Sequence, residues 1–160
     1  MKRNQRGAKR RQETIQVWSH ERARAAIPYI AAVVRSLREH WLDATAKHET
    51  ARRLSDHPGR PDRAALIAHA DALRDASKAE DRFEEARAEL EKLDIYCLDP
   101  SGGLALIPFM HDNLLAWYVF DLFGTDPIRF WRFHSDPLET RRPLTQLLEN
   151  AASEAGWRKA

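Results

Sequence analysis

Asp121, Arg132 and His134 are the side chains whose types and spacing come nearest to a chemical site in this sequence. They fall in two runs, Leu114 to Phe123 and Ile128 to Ser135, separated by Gly124-Thr125-Asp126-Pro127. Both runs are rich in aromatic and apolar residues, and the short connection predicts an antiparallel pair. Pairing across four loop residues makes partner positions sum to about 251. Tyr118, Phe120, Leu122, Trp131 and Phe133 then share one wholly apolar face. Trp117, Val119, Asp121, Phe130, Arg132 and His134 share the other. On that register Asp121 and Arg132 are diagonal neighbours within pairing distance. An imidazole beside such a pair suits a small-molecule or anion site; the plainer reading is a wet sheet face with one cross-strand ion pair. Arg141-Arg142, after the last strand, offers either two guanidinium forks for an anion or ordinary surface charge.

Other chemistry is sparse. His48 and His69 occupy the predicted seam of a helical hairpin and are placed to face each other, but two histidines without a Glu-x-x-His companion do not hold a metal. Cys97 lies in an apolar run and reads as an inert thiol. The sequence has no Gly-x-Ser-x-Gly, no phosphate-binding loop and no Gly-x-Gly-x-x-Gly. No catalytic set, metal site or cofactor site is expected.

The elements that would position these residues follow from periodicity. Ser19 is an N-cap for a helix whose seam, Ile27, Ile30, Val34, Leu37, Trp41, Ala44, His48 and Ala51, keeps a 3-4 spacing to about Leu54. Pro28 should kink that helix or mark its start. Two prolines and a glycine between Ser55 and Pro61 break it. A second helix from Asp62 to about Leu93 shows the stripe Leu66, His69, Leu73, Ala76, Ala79, Phe83, Ala86, Leu90 and Leu93. Residues 20–54 carry seven basic and four acidic side chains, and residues 62–94 six and ten, so the helices suit an antiparallel hairpin. Ile95 to Leu98 and Leu104 to Met110 read as further strands, the second placed at an edge or bulge by Pro108. Leu138 to Pro143 reads as a polar connection, and Leu144, Leu147, Leu148 and Ala151 mark a final amphipathic helix. The expected fold is α+β: a basic tail at 1–16, then one domain at 17–160. Within it a hairpin at 19–93 packs on a β-meander at 95–135, and a C-terminal helix at 143–157 closes it.

At 160 residues the chain has the length of one domain, and 43% hydrophobic residues exclude wholesale disorder. Its net charge of +2 is uneven. Residues 1–11 hold six basic side chains and no acid, which leaves −4 on the remainder. The tail reads as solvated, with a nucleic-acid contact as the alternative, although no aromatic residue is interleaved for base stacking. A single cysteine, no apolar stretch of spanning length and no export signal predict a cytoplasmic protein that does not enter a membrane.

The order of elements and several short strings resemble an uncharacterised bacterial family, catalogued as domain of unknown function 2203. The resemblance rests on Trp18-Ser19-His20-Glu21-Arg22-Ala23, Ile27-Pro28, Gly103-Leu104-Ala105-Leu106-Ile107-Pro108, Leu115 to Phe123, Gly124-Thr125-Asp126, Phe133-His134 and Arg141-Arg142-Pro143. It covers roughly Val17 to Leu144. Leu106 stands where the family has a carboxylate. The resemblance implies no activity; it points again to His134 and the Arg141-Arg142 pair. The expected function is therefore a non-enzymatic interaction or scaffold module using the hairpin, as a homodimer or with another partner. The alternatives are ligand binding by Asp121, Arg132, His134, Arg141 and Arg142, or nucleic-acid binding by the tail.

Overall fold

Ser19 caps the first helix. Its hydroxyl accepts from the Arg22 amide at 3.1 Å, and α1 runs from His20 to Ser55 in the computed structural model, which describes residues 14–157. The basic segment 1–11, and with it the expected nucleic-acid contact, lies outside the described residues. Pro28 neither starts nor ends α1; it sits on an exposed position inside it, where the Arg24 carbonyl loses its intrahelical donor next to solvent. Asp62 caps the second helix, α2 (Arg63–Glu91), by accepting from the Ala65 amide at 2.8 Å. Asp94 at φ 56° ends it by turning the chain so that the Ile95 amide returns to the Leu90 carbonyl at 3.1 Å.

The two helices pack as the expected antiparallel hairpin, with one correction to α2. Ala76, Ala79, Ala86 and Leu90 are buried, whereas Leu66 and Leu73 are 56% and 49% exposed. The seam continues through the half-buried Ala65, His69 and Ala72, one residue out of phase with the two leucines. His48 also departs from expectation. Its ring lies 3.4 Å from Glu80, which is about 16 Å along α2 from His69, so the two histidines do not face each other.

Five strands follow in chain order, β1 (Tyr96–Asp99), β2 (Leu104–His111), β3 (Leu114–Asp121), β4 (Ile128–Phe133) and β5 (Arg142–Pro143), and pair in that same order. Every pairing is antiparallel. A last helix, α3 (Leu144–Trp157), starts directly from β5. The fold is α+β. The strand β5 replaces part of the expected polar connection, through the pairs Phe130–Pro143 and Trp131–Arg142.

Two turns explain the meander. Asp112 and Asn113 both have positive φ, the conformation that lets a two-residue hairpin follow the twist of its strands. Gly103, at φ 69°, lies so close to Leu122 that an added Cβ would stand 2.8 Å from the leucine Cβ. Pro108 occupies a locally open edge of β2. Its carbonyl accepts from the Trp18 amide at 2.8 Å, so its nitrogen also faces away from β3 and no ladder bond is lost.

The core lies between the hairpin and one face of the sheet. Ile30, Val34, Leu37 and Leu90 meet Ile107, Phe109, Tyr118, Phe120, Ile128 and Trp131 there. The other face carries a second, smaller apolar cluster of Leu106, Trp117 and Val119, flanked by Leu98, Leu115 and Phe130. Large neighbours shield this face in place of a second layer of helices.

Candidate functional site

Register decides which of the expected site residues meet. Trp117 pairs with Arg132 and Val119 with Phe130, two residues away from the expected alignment, and a bulge follows at Val119 and Phe120. An even shift leaves each side chain on its expected face, but it separates Asp121 from Arg132 by four residues of strand, about 13 Å. Their ion pair does not form. Asp121 instead ends β3: its carboxylate accepts from the Phe123 amide at 3.0 Å, and its own amide donates to the Pro127 carbonyl at 2.8 Å.

Arg132 and His134 do come together, on the outer face beside Trp117. The Trp117 indole N–H donates to His134 Nδ1 at 3.1 Å. Arg132 is only 3% exposed, and its Nη2 donates to the carbonyls of His134 and Asp136. Its Nε is buried and has no partner among the described residues. With Tyr96, Leu106 and Leu138, these three side chains line a cavity of about 290 Å³.

The Arg141-Arg142 pair is engaged within the chain. Arg141 donates to the carbonyls of Leu138 and Thr140. Arg142 closes a two-point ion pair on Asp136, at 2.9 and 3.0 Å, and lies over the rings of Trp131 and Phe133. The Arg142 guanidinium holds the Asp136 carboxyl below its ordinary range, helped by the Phe133 amide. Both arginines therefore serve the last turn, and Asp136 links that turn to Arg132 through its carbonyl.

One grouping escapes the sequence altogether. Arg24 makes a two-point ion pair with Asp126 at 2.6 and 2.8 Å, donates to the Ile128 carbonyl, and contacts His20 Nε2 at 3.3 Å. His20 faces Tyr118 edge-on and, with His111, Asp112 and residues of α3, lines a cavity of about 520 Å³. Residues 102 positions apart carry no spacing signal, and Asp126 reads only as part of a turn. Cys97 is half-buried, and burial pushes its thiol up to about 11, away from thiolate chemistry. No group of three metal-ligating side chains gathers among the described residues, and no described helix is long and apolar enough to cross a membrane.

The hairpin supplies a different surface. Its α1 is about 54 Å long, whereas an eight-residue strand spans about 26 Å, so the sheet covers only one end. In the far half the helices meet through Ala44, Ala51, Ala76 and Ala79, and the leucines face outwards. Leu54 and Leu66 border one cavity at the tip, together with His57 and His69, and Leu73 continues that side one heptad further along α2.

No family model matches the chain, and no curated protein or solved structure matches it either.

Proposed function

We propose that the protein is a non-enzymatic interaction module that docks through the far half of its hairpin, with a second copy of the same chain as partner. The observation that carries this reading is the inverted packing of that half, alanines inside and leucines outside. A two-helix unit with its large apolar side chains turned outwards has the make-up of half a four-helix bundle. The surface spans both helices, through Leu54 on α1 and Leu66 and Leu73 on α2. A two-fold axis through it seats α1 of one copy against α2 of the other. Within this half the opposed helices keep small excesses of opposite sign, three basic and two acidic side chains at 42–54 on α1 and two and three at 62–76 on α2. The resemblance to domain of unknown function 2203 stays part of this proposal and adds no activity to it.

Light scattering on the full chain tests the reading. The expected mass is twice 18.5 kDa at micromolar concentration, falling to one chain in Leu66→Glu/Leu73→Glu with the helical circular dichroism unchanged. A wild-type chain that stays single at several hundred micromolar would reject the second copy as partner.

A further inference from the structure

We infer that the outer sheet face holds a second, separate site, for a small organic anion with a carboxylate on a flat apolar body. The cavity there has an apolar floor, Leu106 and Trp117, and an exposed rim, Tyr96 and Leu138. Arg132 closes it with a cation that is almost wholly removed from water. Among the described residues no carboxylate lies within ion-pair distance of this guanidinium; the neighbouring Asp136 carboxylate is taken by Arg142. Two carbonyl oxygens give Arg132 partial charge only, and its Nε has no partner at all. The Asp136 carboxylate acts on Arg132 only at longer range, and an entering anion would add the direct charge-assisted contact that this buried cation lacks, in a site already shaped for it.

The lining selects the rest of the ligand. Inorganic phosphate has no apolar surface to bury on Leu106 and Trp117 and keeps its hydration, whereas an aromatic or short aliphatic body gains contact with Trp117 and Tyr96. His134 adds direction. Its Nδ1 accepts a hydrogen bond from the Trp117 indole N–H, which fixes the imidazole ring at the cavity wall.

The test is a titration of ¹⁵N-labelled full-length protein, reading the Trp117 indole cross-peak assigned by its loss in Trp117→Phe. Phenylacetate should shift that peak saturably, phenylacetamide should bind at least about tenfold more weakly, and inorganic phosphate should leave it in place. Arg132→Met should abolish the phenylacetate response. Because that change removes a buried side chain and its bonds, Leu138→Glu on the exposed rim provides an independent variant, with the fold intact and phenylacetate weakened at least about tenfold. Equal affinity for acid and amide, a phosphate response as strong as that to phenylacetate, undiminished binding by Leu138→Glu, or no saturable shift would each overturn the site.

Discussion

At the residue scale, Arg24 is the side chain with the widest reach. It fastens the start of α1 to the loop before β4 by way of Asp126, and it sits against His20. The Arg24 guanidinium beside Asp126 holds that carboxyl below its ordinary range. Burial, then the positive charge of Arg24, pushes the His20 imidazole below its ordinary 6.5. Both groups have a lowered pKa in the fold, so both stabilise it at neutral pH and lose that contribution on acidification. The His20 contribution is present above 6.5 and fades as pH falls through its lowered folded value; that of Asp126 fades only below 3.8. Urea melts between pH 7.5 and 3 should therefore show two successive losses. His20→Gln should remove the first, and Asp126→Asn should reduce the second, the remainder belonging to Asp136 and Asp99, whose carboxyls are also held below their ordinary range. With side chains 36% and 39% exposed, the ion pair is screened, and Asp126→Asn should cost only about 0.5–1 kcal/mol at pH 7. A profile in which His20→Gln leaves the first loss untouched would assign it to another group. Ser19 as a cap and Arg132 with His134 on one face are legible from spacing alone. The Arg24–Asp126 clamp is not, since only tertiary folding joins its halves.

At the element scale, the inverted seam of α2 shows where periodicity stops being decisive. Ala65, His69, Ala72, Ala76 and Ala79 keep one helical spacing, and Leu66 and Leu73 keep the same spacing one residue later. Side-chain size favours the leucines, but facing alanines let two helix backbones approach closely, and that contact wins. Ala79→Leu should accordingly destabilise by about 1–3 kcal/mol through overpacking, read by urea melts; a change below about 0.5 kcal/mol would place Ala79 outside the seam. Trp41 belongs to the seam but is only half-buried. Trp41→Ala should cost about 2 kcal/mol, short of the roughly 3–5 kcal/mol of a fully enclosed tryptophan. The sheet teaches a related lesson. Alternation identified both faces of β3 and β4, because an even slip preserves them. The register itself turned on the Asp121 carboxylate bonding the Phe123 amide, which withdraws Leu122 and Phe123 from the strand and lengthens the loop by two residues. Such side-chain turns leave no mark on hydrophobic periodicity.

At the scale of the whole molecule, stability should be graded along the hairpin. Ile30 to Leu37 lie against the sheet, while Thr45 to Leu54 and Ala65 to Leu73 are held mainly by each other. Amide exchange in dilute protein should be slowest in the first segment and faster by local opening in the other two. The far segments should gain protection as concentration rises if a second copy covers them. Uniform protection at low concentration would contradict this gradient. The clamp between Arg24 and Asp126 also sets a clock. Its halves are separated by 102 residues, and ribosomes add roughly 5–20 residues per second, so Arg24 waits about 5–20 s for its partner during synthesis. Trp18 waits almost as long for the Pro108 carbonyl. Through that interval the hairpin can close while Ile30, Val34 and Leu37 still lack the strands that bury them. The nascent chain therefore passes through a state whose sticky flank lies at the opposite end from the leucines of the finished protein, and a chaperone that shields α1 would act there first.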